Sequence, residues 1–190
     1  MPWKNGLGVT TEIVIEPAGA TLDHFDWRLS MARIDASGPF SSFPDIDRLL
    51  MVLEGALSLR VGEGPAIEIS SQTPALRFSG ETAAIGMLQR DSEAREQPVL
   101  DLNLMTRRGL YATEMRRVAF NQNFELPLTA DTTVLLSRSP SLSVQHSQGI
   151  AKLQADDVLI VNDGGPDRLR LSHPADALIY LIELRSVVTG

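Results

Sequence analysis

Nowhere along the 190 residues do apolar side chains recur at helical spacing through three turns, and that constrains the fold more than any other feature. What recurs instead is alternation. Val9, Thr11, Ile13 and Ile15 fall on one side of a segment whose other side is Thr10, Glu12, Val14 and Glu16. Phe25, Trp27, Leu29 and Met31 alternate with Asp26, Arg28, Ser30 and Ala32. Leu102 and Leu104 alternate with Asp101, Asn103 and Met105. A period of two sends successive side chains to opposite faces of an extended strand. Fourteen glycines and eleven prolines, spread along the chain, supply the turns between such strands. The expectation is an all-β fold.

The remaining segments fit that expectation. Leu49 to Leu53 is a short continuous apolar run ending at Glu54-Gly55, the pattern of a buried strand followed by a turn. Leu57–Val61 and Ala66–Ser70, joined through Gly62-Glu63-Gly64-Pro65, form a hairpin. Ala75–Phe78 and Ala83–Leu88 continue the rhythm, and the polar stretch from Gln89 to Pro98 reads as a solvated loop. Further strands are expected over Thr132–Leu136, Leu142–Gln145, Val158–Val161, Leu169–Leu171 and Ala177–Leu184. The basic pairs Arg107-Arg108 and Arg116-Arg117 read as solvated surface.

A weak repeat runs through the chain. Leu57-Ser58-Leu59-Arg60-Val61 and its following strand at Phe78 recur as Leu142-Ser143-Val144-Gln145-His146 and Val161. Eighty-five residues separate Leu57 from Leu142, and 83 separate Phe78 from Val161. A fixed offset of this kind marks a duplicated unit. The unit is expected to be a small jelly-roll barrel, which hides its strand edges by closure. Two such barrels fill the chain, at residues 1–106 and 107–190.

Composition narrows the function classes. The net charge of −7 argues against nucleic acid or an anionic membrane surface as partner. With no cysteine there is no disulfide, thiolate nucleophile or thiolate metal site. No apolar run approaches 18 residues and no basic-then-apolar leader precedes Pro2, so a cytoplasmic location is expected. A homodimer is the default assembly for such barrels.

Jelly rolls of the cupin kind usually hold a metal through two closely spaced histidines, a glutamate and a later histidine, donors that converge on one ion. His24, His146 and His173 stand far apart, so no metal and no cofactor is expected. Ser41 and Ser42 near Asp47 lack a histidine for a hydrolase triad. Spacing singles out no catalytic pair among Glu12, Asp47, Glu54 and Asp101. What remains is a set of polar residues on otherwise apolar strands: Arg28 and Ser30, Asp47 and Arg48, Asp101 and Asn103, beside Trp3, Lys4 and Asn5 in the opening loop. If these faces line a barrel interior, they make a partly cationic pocket suited to a carboxylate. The alternatives are that Arg28 and Ser30 face water, and that Asp47 and Arg48 form a structural ion pair.

Three blocks carry a resemblance. Pro2-Trp3-Lys4-Asn5-Gly6-x-Gly8-x-Thr10-x-Glu12-Ile13 resembles the opening motif of the HutD/Ves family. Phe25-Asp26-Trp27-Arg28-x-Ser30-x-Ala32 and Gly38-Pro39-Phe40-Ser41-x-Phe43-Pro44-x-x-Asp47-Arg48-x-Leu50 resemble its central block, and Asp101-Leu102-Asn103-Leu104-Met105-x-Arg107 its third. Gly6-Leu7-Gly8 stands where the family usually has three glycines. Family members usually carry more residues before this motif, so a first edge strand is expected either to be missing or to lie outside this chain. The resemblance implies a bicupin without the metal histidines, and a link to bacterial histidine utilisation as a regulatory or ligand-sensing protein. The implied ligand is a pathway acid such as formylglutamate, urocanate or formiminoglutamate.

On this reading Lys4, Arg28 and Arg48 offer charge to a small anionic metabolite, Asn5, Ser30 and Asn103 offer hydrogen bonds, Trp3 or Trp27 a wall, and Asp47 and Asp101 orient the cations; Glu12 completes the set. Two other readings compete. One is a metal-independent enzyme with Asp47, Asp101 or Glu12 as base and Lys4 as electrophile. The other is a scaffold whose charges only hold two barrels together.

Overall fold

The structure, a computed structural model, describes residues 1, 3, 7–147 and 149–187. All of the regular elements among these residues are strands: β1 (Gly8–Glu16), β2 (Trp27–Ile34), β3 (Gly38–Pro39), β4 (Ile46–Glu54), β5 (Ala56–Val61), β6 (Ile67–Ser70), β7 (Leu76–Ser79), β8 (Ala84–Leu88), β9 (Val99–Arg107), β10 (Tyr111–Pro127), β11 (Thr132–Ser137), β12 (Leu142–His146), β13 (Gly149–Leu153), β14 (Val158–Asn162) and β15 (Arg168–Ser186). No helix among them is long and apolar enough to cross a membrane. The chain forms two compact units, Met1–Leu110 and Tyr111–Gly190.

The first unit has two antiparallel sheets, ordered β1-β2-β9-β4-β7 and β3-β8-β5-β6. Alternation decides what lies between them. Ile34, Leu50, Val52 and Val99 of the first sheet pack with Leu57, Leu59, Ile69 and Leu88 of the second in one core cluster, with Trp3 and Phe40 against its side. Each such leucine or isoleucine, fully buried, stabilises the unit by roughly 1.5–3 kcal/mol. The apolar run in β4 is continuous because Leu49, Met51 and Leu53 are buried on the opposite face as well. Gly55, at φ +82°, makes the tight turn from β4 into β5.

The second unit repeats the plan. β5 pairs with β6 and β8, as β12 pairs with β13 and β15. β9 lies between β2 and β4, as the end of β15 lies between β10 and β11, and β4 pairs with β7 as β11 pairs with β14. The strands that correspond are those the repeat links, Leu57 with Leu142 and Phe78 with Val161. Its core gathers Leu126, Leu135, Leu142, Val144, Leu169 and Leu181 among others.

Two readings change. β10 is a 17-residue strand where the sequence suggested only basic surface pairs, and Arg116 lies within it, ion-paired to the buried Glu183. The expected strands at 169–171 and 177–184 are one continuous strand, β15. The stretch 89–98 is an exposed loop, as expected, and it is tied down: the Asp91 carboxylate accepts from the backbone N–H groups of Glu93 and Arg95, and Glu96 accepts from the N–H and hydroxyl of Ser37.

Candidate ligand site

β2, β9 and β4 lie side by side in antiparallel register, so their inward residues form rungs across the sheet. Ile34 stands opposite Val99, Ala32 opposite Asp101 opposite Val52, Ser30 opposite Asn103 opposite Leu50, and Arg28 opposite Met105 opposite Arg48. The interior is therefore apolar at one end and becomes polar toward the other. The same face that supplies Ile34, Val52 and Val99 to the core supplies Arg28, Ser30, Arg48, Asp101 and Asn103 to the site.

Arg28 and Arg48 are each 4% exposed, but their surroundings differ. Arg28 donates through Nε to Glu12 Oε2 at 2.8 Å and through Nη1 to Ser30 Oγ at 3.1 Å, with Met105 Sδ at 4.0 Å. Glu12 is 38% exposed at its side chain, so this pair reaches from solvent into the interior. Arg48 has no carboxylate within ion-pairing distance among the described residues. Its Nε and Nη1 make long hydrogen bonds of 3.4 Å to Asn103 Oδ1 and to the Ser41 carbonyl. Three phenyl rings cage it, with centroids 5.3 Å (Phe40), 5.9 Å (Phe43) and 5.0 Å (Phe78) from the guanidinium carbon. Burial lowers its pKa to about 10; the charge of Asp101 opposes that shift and Arg28 adds to it. Asp101 is 1% exposed and its Oδ1 has no hydrogen-bond partner. Burial raises its pKa to about 7 against the pull of Arg48 and a hydrogen bond from the Ala32 backbone.

The structure thus brings Glu12, Arg28, Ser30, Arg48, Asp101 and Asn103 together on one face. It does not bring Trp27 or Asp47 there. Trp27 is buried on the reverse face of β2, since odd and even positions of a strand point oppositely. Asp47 is separated from its neighbour Arg48 for the same reason. Its Oδ1 accepts from Arg108 Nε at 3.2 Å, in a surface network with Glu81 and Ser79, so it neither pairs with nor orients Arg48. Trp3 packs on the apolar core and donates through Nε1 to Thr10 Oγ1 at 2.7 Å. Lys4 and Asn5 lie outside the described residues. Sequence reasoning missed Met105 as a neighbour of Arg28 and the phenyl cage as a unit. The signal for the cage was Phe40-Ser41-Ser42-Phe43 between two prolines.

Two surface clefts lie elsewhere. One of about 380 Å³ follows the Pro17–Asp26 loop, and one of about 460 Å³ touches Asn123, Lys152 and His173. Neither has a buried charge in its lining, so the interior rungs of the first unit remain the better candidate. Those rungs do not fit the divalent metal that cupin barrels commonly hold, because two guanidinium groups repel a cation and offer it no lone pair. In the second unit the corresponding rung is Glu114 opposite Glu183 opposite Thr133. There the Glu183 carboxylate accepts from Arg116 at 3.3 Å and Arg185 at 3.1 Å.

The match to the HutD family covers residues 1–179. The chain belongs to the HutD family. This HutD-family chain is 33% identical over 147 residues to an uncharacterized 21.2 kDa protein in the hutC 3′ region of Pseudomonas putida, covering 76% of the chain and 71% of that protein. It is 34% identical to Protein Ves of Citrobacter koseri, where the match spans 60% of the chain and 56% of the relative's length. Among solved structures, HutD from Pseudomonas fluorescens SBW25, in a formate condition, superposes with a TM-score of 0.79 at 29% identity, covering 98% of this chain and 92% of that one. A cupin 2 conserved barrel protein from Leptotrichia buccalis shares only the fold, at a TM-score of 0.61 and 9% identity over 94% of this chain and 89% of that one.

Proposed function

We propose that the first barrel binds a small carboxylate metabolite and that the protein serves histidine utilisation as a ligand-responsive regulator. One observation carries this reading. Arg48 is a buried guanidinium held by phenyl rings and two long hydrogen bonds, with no carboxylate within ion-pairing distance among the described residues. A buried charge without a counter-ion is costly, and a ligand carboxylate would complete it with bidentate hydrogen bonds. Ser30 and Asn103 supply polar contacts beside it, and Met105 with the phenyl rings supplies apolar wall, the usual make-up of a small-ligand site. The position of one relative in the hutC 3′ region supports an acid of that pathway, formylglutamate or urocanate, as ligand.

The test is a thermal-shift screen with histidine, urocanate, formiminoglutamate, formylglutamate, glutamate and formate. A ligand at 100 times its Kd stabilises by about 2.7 kcal/mol, a rise of roughly 5–10 °C for a chain of this size. Arg48→Met should keep the fold and lose the shift. No response to any of these acids would remove the reading. A merely structural Arg48 would instead show its loss as destabilisation with no ligand found.

A second reading, a metal-independent acid–base enzyme, is favoured by the position of Asp101, a buried carboxyl titrating near neutrality. It requires turnover of a pathway acid by pure protein, abolished in Asp101→Asn.

A further inference from the structure

Asp101 has no role in binding an anion as long as it is itself an anion. It sits on the inward face of β9, in the rung between Ala32 and Val52, two residues along the same face from Asn103, which accepts from Arg48. Its Oδ1 is buried and unpartnered, and no arginine nitrogen is within ion-pairing distance of it among the described residues. A carboxylate drawn in by Arg48 would share this dry interior with it. Two carboxylates in one low-dielectric site do not both stay ionised; they come to share a proton.

We infer that Asp101 receives the bound carboxylate as a neutral acid, its Oδ1–H donating to a ligand oxygen, so that binding to the protein with Asp101 ionised takes up one proton. The inference rests on the reading that this site binds a carboxylate. No covalent bond to carbon changes: ligand carboxylate, Asp101 carboxylate and one proton from solvent become one hydrogen-bonded carboxyl–carboxylate pair. Burial already raises Asp101 to about 7, and a ligand's charge would raise it further. The other charged groups on this face are few. β1 contributes Glu12, β2 contributes Arg28 against it at 2.8 Å, and β4 contributes Arg48. The segment before β4 offers Arg48 a carbonyl and two rings, and β7 offers the Phe78 ring. The facing sheet is represented by apolar side chains. Asp101 is therefore the group through which pH reaches the ligand, and it sets a preference for acceptor-only ligands over cations.

The experiment is calorimetric titration with formate and with formylglutamate in buffers of different ionisation enthalpy, from pH 6 to 8.5. Close to one proton should be taken up per ligand at pH 8, falling toward none at pH 6, and Kd should weaken about fivefold from pH 7 to 8 and more steeply above 8. Asp101→Asn, the same size and still a donor, should bind with no proton uptake and a Kd independent of pH. Wild-type protein that binds with buffer-independent heats at pH 8 overturns the proton linkage and leaves the binding reading standing. No binding of either probe at any pH overturns both. An Asp101→Asn protein that still takes up the proton overturns the assignment to Asp101. The wild-type buffer series decides the matter even if that variant does not fold.

Discussion

Arg48 shows what an interior site demands of one side chain. Removing a guanidinium from water costs several kcal/mol, and cation–π contact with a phenyl ring returns about 0.5–2 kcal/mol. Three rings and two long hydrogen bonds therefore hold the charge without satisfying it. Asp101, whose charge opposes the fall in the Arg48 pKa, carries the same tension in the form of a raised pKa, and this makes stability depend on pH. An aspartate ordinarily titrates near 3.8, and here burial raises the folded value to about 7. Below the unfolded value both states hold the proton and the group has no net effect. Between about pH 4 and 7 the unfolded chain releases it while the folded chain retains it, so the stability present at low pH declines across that window and is lost above 7. The difference of about three pH units between the folded and unfolded values sets a ceiling on the order of 4 kcal/mol. Urea unfolding at pH 5 and pH 8 should show the wild type weaker at pH 8. Asp101→Asn should lose most of that difference.

At the scale of elements, the cage around Arg48 depends on how one irregular segment is fastened. Residues 40–45 join β3 to β4 and carry Phe40, Ser41 and Phe43. They are pinned by Gly80 in the turn after β7, which donates to the Ile46 carbonyl at 2.6 Å and accepts from the Phe43 N–H at 2.9 Å. A Cβ on Gly80 would lie 2.5 Å from the Phe43 carbonyl oxygen and 2.9 Å from that of Ile46, both backbone atoms that cannot swing away. Gly80→Ala should cost about 1–3 kcal/mol, the range for overpacking, and weaken carboxylate binding by displacing the rings. Chemical denaturation beside a binding titration checks both. These fastenings explain what the sequence could and could not disclose. Alternation in β2 and β9 set Arg28, Ser30, Asp101 and Asn103 on shared faces, and those faces are found together. The segment 40–45 has no periodicity, so the direction of its rings was not readable. Asp47 finds Arg108, 61 residues away, a pairing no local rule discloses. β10 escaped notice because its residues are mostly exposed and its alternation breaks where the register shifts between Asn121 and Asn123.

At the scale of the molecule, the chain is one plan written twice. The offsets of 85 and 83 residues were legible because core strands kept their pattern. The long strand β15, which pairs with β10, β11 and β12 in the six-stranded sheet of the second unit, has no single counterpart in the first. Since the candidate site lies wholly within Met1–Leu110, ligand protection should be local. Hydrogen exchange with and without formylglutamate should show slowed amides in β2, β4 and β9 and unchanged rates in β11–β14. Equal protection of both sets would place the ligand elsewhere.

The rung that holds Arg28, Met105 and Arg48 in one barrel holds Glu114, Glu183 and Thr133 in the other, and the arginines near that second rung are already spent on Glu183. Duplication alone would give two vessels per chain. On the proposed reading, the change of sign would leave one of them unable to accept an acid, so the count at saturation should be a single equivalent per polypeptide. The spare barrel is then free of the selection that a ligand imposes, and its interior answers only to folding.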